Sequence, residues 1–568
     1  MSRPVQELVE PHARERPETV AVDEGGTRLS YRELGIRSAA VARALRAVEG
    51  RPVAVRMPRG AGQAVAVLGA LRAGAYVVCL GAGDVGDRGR AMLGELGPAA
   101  LVGADDALAR WFRDELGGRV VDPADLVEAS VVSAGRGSVD LAEALAVSTG
   151  RGSVHPAEAS VVSAGRGSVD LVEALAVSTG RGSVHPAEAS AVSAGRGSVD
   201  MVEASAAPIG RGPADRAYVA YTSGTTGRPK GIPHTHGTLS QFVTWFAGEF
   251  GIGPGARVAQ WAMPGYDANL MEIFAALAAG ATLCPVPERT RTSPERIVDW
   301  LAAERITHFQ TVPSFARTCR HVLRELPDLG HLLLAGEPLS GELAGELRAL
   351  LPAVRLVNLY GPTESILATW FEVDGPVRGT VPIGGPVPGR RVLVVDGDDG
   401  PCPPGVTGEI VVLGPHVTPG YVGASAKERS AFRPLAGLPL PTYRTGDRGR
   451  WREDGVLEFL GRGDSQVKFN GSRLELADLE ETLAAQGSVA ECAVRAEVDA
   501  DGLVTRLVAY VVPRDPGAAR AAWRGAVRRT FGDAMPPLVF KIFKELPRNA
   551  GGKVDRSRLE KNGDPARN

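Results

Sequence analysis

Cysteine is scarce in this 568-residue chain: Cys79, Cys284, Cys319, Cys402 and Cys492 are odd in number, widely spread and form no C-x-x-C pair. That spacing excludes a disulfide framework and a thiolate zinc site, and it predicts reduced thiols. A surplus of either charge is missing too, since 64 Lys and Arg face 66 Asp and Glu for a formal net charge of −2. Nucleic acid, which needs a basic field, is not an expected partner. The chain also lacks any run of about 18 apolar residues, and Met1-Ser2-Arg3-Pro4-Val5-Gln6-Glu7 has no apolar signal core. No membrane contact and a cytoplasmic location are expected. What the chain has is length: at ~150 residues per domain it predicts three or four units.

Those units show in the hydrophobic periodicity. Ser30, with Glu33 three residues on, has capping-box spacing before the helical pattern Ile36, Ala39, Val41, Ala42, Leu45 and Val48. A strand at Pro52–Arg56, a helix at Ala64–Leu71 and a strand from Gly74 to Val78 follow. The same alternation returns from the Leu270 helix to the Arg355–Tyr360 strand. It predicts an α/β chain with two doubly wound parallel sheets, whose ligands sit beyond the carboxyl ends of the strands. Past Thr380 the period shortens to two at Val392–Val395 and Glu409–Leu413, predicting a small antiparallel β-barrel subdomain. Near Asp464 the pattern restarts: a helix from Glu475, strands from Val489 and Thr505, a helix from Ala518 and a basic tail read as an α+β C-terminal domain. The expected organisation is a core over 1–463 and a mobile domain over 464–568.

Residues 127–212 repeat themselves. Ala129-Ser130-Val131-Val132-Ser133-Ala134-Gly135-Arg136-Gly137 returns at Ala159, and each 30-residue copy splits into two similar halves. A fixed period allows a solenoid. The units have no aromatic ring, few large apolar side chains and frequent Gly-Arg-Gly-Ser, too little to bury against the ordering entropy, so a disordered surface insert is expected.

The chemistry concentrates at Tyr221-Thr222-Ser223-Gly224-Thr225-Thr226-Gly227-Arg228-Pro229-Lys230-Gly231, after the strand-like Ala217–Ala220. Gly224 and Gly227 let backbone N–H groups approach an anion, Thr222, Ser223, Thr225 and Thr226 add hydroxyl donors, and Lys230 adds a positive charge. The spacing is not that of a Walker P-loop, because Lys230 follows Gly227 by three residues and no Ser or Thr comes next. Four more words follow in order: Tyr360-Gly361-Pro362-Thr363-Glu364, Tyr443-Arg444-Thr445-Gly446-Asp447, Gly461 to Gly471, and Gly552-Lys553. Alone, Asp447 would read as a solvated turn aspartate.

Taken together these motifs resemble the adenylate-forming superfamily of acyl-CoA synthetases, luciferases and nonribosomal-peptide-synthetase adenylation domains, over nearly the whole chain apart from the insert. The resemblance implies ATP and Mg2+ as cofactors. It assigns the 222–230 loop to the phosphates, Glu364 to magnesium, Asp447 and Arg462 to ribose, Lys553 to adenylation, Lys468 to thioester formation and Asp464 to a hinge, while Tyr360 by its own chemistry offers a flat face for adenine. Tyr266-Asp267 is similar to the Phe-Asp of the amino-acid-activating branch, where the aspartate binds the substrate ammonium; Asp267 would equally suit an N-cap of the following helix. By alignment the pocket is lined by Tyr266, Asp267, Ala268, Met271, Gln310, Leu333, Ala335, Gly336, Leu359, Leu367 and Ala368, which favours an uncharged side chain, apolar or amide-bearing. With 15 residues after Lys553, the expected thiol acceptor is phosphopantetheine on a separate carrier protein. Whether a small helper protein joins them is left open. The alternatives are an acyl- or aryl-CoA ligase of the same fold, and an inactive interaction protein working through the repeats.

Overall fold

The computed structural model describes residues 3–45, 47–81, 87–103, 106–122, 212–222, 229–463, 466–469, 472–499, 501–515, 520–531, 535–548, 554 and 558–559. The repeats over 127–211, the loop residues Ser223, Gly224, Thr225, Thr226 and Gly227, the hinge residue Asp464 and Lys553 lie outside them.

The chain is mixed α/β, with a large N-terminal part and a smaller C-terminal one. The larger of its two main sheets has nine strands, in the order Gly385–Pro386, Thr369–Glu372, Arg355–Tyr360, His331–Ala335, His308–Thr311, Arg257–Gln260, Thr282–Pro285, Val20–Glu24, Thr27–Ser30. The six central strands run parallel, so Tyr360, Ala335 and Thr311 end at one edge. The second sheet has six strands, Arg119–Val121, Ala100–Gly103, Pro52–Arg56, Tyr76–Cys79, Arg216–Thr222 and Lys230–Thr235, parallel except for the last, an edge strand that can carry Pro233.

Local sequence explains these elements. Ser30 and Glu33 close the capping box at the start of helix Tyr31–Ala44. Helix Ala61–Arg72 is buried on almost every side because it is packed between elements; a Cβ at Gly69 would come within 2.5 Å of Val41 Cβ, so only glycine permits that approach. Strands Val53–Val55 and Tyr76–Cys79 are buried on both faces, as strands of a covered parallel sheet must be.

The antiparallel subdomain is a four-stranded sheet, Arg391–Val395, Gly408–Leu413, Thr442–Trp451 and Leu457–Arg462. The small C-terminal part packs helices Leu476–Ala484 and Arg520–Phe531 on strands Val489–Val498, Val504–Pro513 and Leu538–Ile542 around Leu479, Leu483, Trp523 and Val527. Leu538–Ile542, expected as basic tail, is a strand, because its apolar positions pair parallel to Val504–Pro513. Arg317 of the large part forms ion pairs with Asp499 and Asp501 of the small one, the latter at 2.5 Å. Among the described residues no helix is long and apolar enough to cross a membrane. All five cysteines are free, and burial pushes the Cys79 and Cys284 thiols up to about 12.

Candidate functional site

Strand Thr442–Trp451 buries Tyr443, Thr445 and Asp447, and its register shifts around Gly446, which has φ 70°. Asp447 is no solvated turn residue: it sits within the strand, 3% exposed, opposite Arg462 in the ladder. The Tyr360 hydroxyl donates to Asp447 Oδ2 at 2.6 Å, Arg462 Nη1 donates to Oδ1, and Arg462 Nη2 donates to the Thr445 carbonyl at 2.9 Å. Burial first, then the Asp447 charge, pushes the Tyr360 phenol well above its ordinary range. The structure thus joins three residues that the sequence separates. Lys468, on strand Gln466–Phe469, brings its Nζ 5.8 Å from the Tyr360 ring centre.

Beyond Tyr360 the chain turns sharply. At Gly361 a Cβ would lie 2.4 Å from Ala368 N, so only glycine lets the backbone cross there. Thr363–Ser365 form one 3₁₀ turn, and Ile366 leaves it at φ 67°. A β-branched residue in the left-handed region costs about 1–3 kcal/mol and persists only where its surroundings over-determine it. Glu364, fully buried, accepts at Oε1 from the Tyr421 hydroxyl at 2.6 Å and the Tyr443 hydroxyl at 2.9 Å. Among the described residues no cluster of three or more His, Cys, Asp or Glu is arranged to hold a metal. A single hard carboxylate instead fits Mg2+, which takes its other ligands from phosphate and water.

Thr222 and Lys230 face each other as the last pair of the 216–235 hairpin, at the two ends of the Thr/Ser/Gly segment 222–230. Lys230 is 8% exposed; its Nζ lies 5.3 Å from the Tyr421 ring centre and 3.7 Å from Glu428 Oε1. Tyr421 therefore touches both Lys230 and Glu364.

Helix Asp267–Ala278 begins at the third corner. Its N-cap is Tyr266, which is 40% exposed, so Asp267 is not the cap; it occupies the first turn and accepts from Ala268 N at 2.9 Å. Burial raises the Asp267 carboxyl above its usual range, opposed by hydrogen bonds from the Thr363 hydroxyl and Ala268 N–H and reinforced by the Glu364 charge. None of these groups is a cation. Gln310 pairs with Leu333 across parallel strands, and Ala335 with Leu359, so ladder register puts the four on one sheet face. Leu333, Leu359, Met271 and Ala368 are buried, and Gly336 follows with φ 89°.

Sequence reasoning missed the groups around this turn, Tyr421, His234 and Arg390, and the Lys230 partner Glu428. Tyr443 stood inside a quoted motif and His234 lies three residues past the end of another; a polar residue inside a strand was the available signal. Arg390 and Tyr421 carry no local pattern.

A family model described as AMP-binding enzyme matches residues 9–422, and one described as AMP-binding enzyme C-terminal domain matches residues 478–553. Phosphinothricin tripeptide synthetase PhsB of Streptomyces viridochromogenes is 39% identical over 358 residues, 62% of this chain and 30% of that protein. An L-proline:L-prolyl-carrier protein ligase of Pseudomonas fluorescens is 36% identical over 356 residues, 61% of this chain and 68% of that protein. The chain spans 4% and 27% of two further synthetase relatives. Among solved structures, the amide bond synthetase McbA from Marinactinospora thermotolerans superposes with a TM-score of 0.75 at 22% identity, over 98% of this chain and 99% of that one, a likeness of fold.

Proposed function

The chain belongs to the AMP-binding enzyme family, and on that premise we propose that it activates an amino acid with ATP and passes the aminoacyl group to a carrier-protein thiol. In the first step a substrate carboxylate oxygen bonds to the α-phosphorus and the bond to pyrophosphate breaks. In the second, a phosphopantetheine thiol attacks the aminoacyl carbonyl and AMP leaves. Both steps develop charge on phosphate oxygens, so catalysis is chiefly placement of counter-charge.

Residues 222–227 and Lys230 would hold the β- and γ-phosphates. Asp447 accepts from ribose hydroxyls while Arg462 fixes its orientation, and the Tyr360 ring packs on adenine. Glu364 would hold Mg2+, which when bound neutralises phosphate charge. Lys553 serves the α-phosphate and the substrate carboxylate; Lys468 serves the thioester step from the small domain, which turns about Asp464. The pocket formed by Ala268, Met271, Gln310, Leu333, Ala335, Leu359, Leu367 and Ala368 favours an uncharged side chain.

One observation supports the amino-acid assignment: among the described residues the Asp267 carboxylate is faced by a hydroxyl, an N–H and another acid rather than by a cation. A substrate ammonium completes that arrangement. Pyrophosphate exchange with an accepted amino acid and with its des-amino analogue, in wild type and Asp267→Ala, tests it. Loss of a charged partner costs ~2–5 kcal/mol, so the substitution should lower amino-acid exchange by at least ~30-fold and leave the analogue nearly unchanged. Equal loss with both acids would return the protein to the acyl-ligase reading, which offering CoA against a carrier protein then examines.

A further inference from the structure

Three consecutive carbonyls of the Thr363–Ser365 turn each accept a hydrogen bond from outside it. His234 Nε2 lies 2.7 Å from Thr363 O, the Thr418 N–H donates to Glu364 O at 2.8 Å, and Arg390 Nε donates to Ser365 O at 3.1 Å. A carbonyl only accepts, so the His234 proton belongs on Nε2. The donors come from three places: strand Lys230–Thr235, the loop around Thr418, and the residue preceding strand Arg391–Val395. Thr418 Oγ1 also donates to the Pro233 carbonyl at 2.6 Å, which fastens the loop to the strand beside His234.

Two of these donors are costly residues to bury. His234 is 1% exposed and Arg390 5%. Arg390 has no salt bridge among the described residues; its remaining bonds go to Gln241 Oε1 at 2.5 Å and the Pro388 carbonyl at 3.2 Å, and its Nη2 has no hydrogen-bond partner. His234 rests against the Tyr218 ring, centres 5.0 Å apart, and its Nδ1 makes no hydrogen bond among the described residues. Packing alone would be served by apolar side chains of the same size. What the imidazole and the guanidinium have in common, beside the Arg390 bonds to Gln241 and Pro388, is a directed N–H to the backbone of one turn. That turn leads into Ile366, whose left-handed backbone needs outside restraint.

We propose that His234 and Arg390 are positioning residues, which lock the Thr363–Ser365 turn so that the Glu364 carboxylate meets a nucleotide-bound divalent cation while the Thr363 hydroxyl meets Asp267. The inference rests on the nucleotide-activating function proposed above. It joins the metal end and the amino-group end of the site through one turn, so loosening the turn disturbs both.

The test uses the full chain, with Mn2+ and ATP as probe. His234→Leu keeps bulk and removes the donor; His234→Gln keeps an N–H. Binding of Mn2+ in the presence of ATP, followed by electron paramagnetic resonance, should weaken by about 10–100-fold in His234→Leu and recover most of the loss in His234→Gln, at unchanged circular dichroism. In pyrophosphate exchange the same variant should raise both the Mn2+ requirement and the amino-acid KM. Unchanged Mn2+ binding in His234→Leu overturns the proposal, and so does a Gln variant as weak as the Leu one, since volume would then matter rather than the donor. Should His234→Leu fail to fold, Arg390→Lys against Arg390→Met makes the same comparison at Ser365. A wild type that binds Mn2+ with ATP but exchanges with no amino acid removes the amino-acid reading, and the metal titration still judges the turn.

Discussion

The two ends of strand Arg355–Tyr360 hold similar inventories of polar side chains and use them in opposite ways. At the amino end, Arg355 grips Glu372 through two bonds of 3.0 and 2.7 Å, His331 Nε2 lies 3.3 Å from Arg355 Nη1, and the His308 ring stacks on His331 at 4.5 Å. Those groups are one another's partners. At the carboxyl end, Glu364 is held by two tyrosine hydroxyls and its backbone by outside donors, while Asp447 is oriented by Tyr360 and Arg462. Histidine, arginine and acid together therefore do not mark a site. Position at the carboxyl edge, where strands end and loops converge, separates the two clusters.

The sharpest way to break that contrast is Glu364→Gln. If the carboxyl-end cluster carries the chemistry, pyrophosphate exchange should fall by about 10²–10³-fold, because a charge placed for the reacting phosphates is lost. The tyrosines can still donate to an amide oxygen, so the melting temperature should move little. Exchange that survives Glu364→Gln at ordinary Mg2+ would place the metal site elsewhere.

A smaller effect should come from acid at the other end. Burial, then the His308 and Arg355 charges, holds the His331 imidazole down at about 4. Unfolded, it titrates near ~6.5. Between these values the unfolded chain binds a proton that the folded one refuses, so this contribution is fully present above about pH 6.5 and is lost as pH falls toward 4. His234 and His416 are lowered in the same direction, so the difference between proteins is the useful reading. His331→Gln should flatten the fall of melting temperature with acid in that window, and it should leave the relative pH profile of exchange unchanged. A shifted exchange profile would mean that the amino-end histidines reach the site.

Much of this arrangement was legible in the chain. Pro52–Arg56 and Arg355–Tyr360 appear with the boundaries their periodicity predicts. The Ser30–Glu33 box forms because both halves of that signal are local. Strand Leu538–Ile542 and the hairpin Gln466–Phe469 with Ser472–Glu475 were not legible, since their pairing depends on distant or irregular partners. The motif residues Tyr360, Asp447 and Arg462 converge, yet nothing local announces that Asp447 lies inside a strand with Arg462 opposite. Tyr421 and Arg390 act through a phenol and a guanidinium arriving from separate loops. Such contacts are tertiary, and one-dimensional patterns do not encode them.

The smallest effect expected is at the pair that would look most functional to a motif search. Arg355 and Glu372 meet with good two-bond geometry, and hydrogen bonding to Arg355 holds the Glu372 carboxyl below its usual range. Their side chains are nevertheless 36% and 37% exposed, so water screens the attraction and competes for both groups. Exposed pairs of this kind contribute about 0–1 kcal/mol. A double-mutant cycle with Arg355→Met and Glu372→Gln, read by denaturant unfolding, should return a coupling energy in that range. The exchange rates of all three variants should match wild type. If Glu372→Gln instead lowers exchange with stability unchanged, the strand transmits from its amino end to Tyr360, and the separation of the two ends into a structural cluster and a chemical one is wrong.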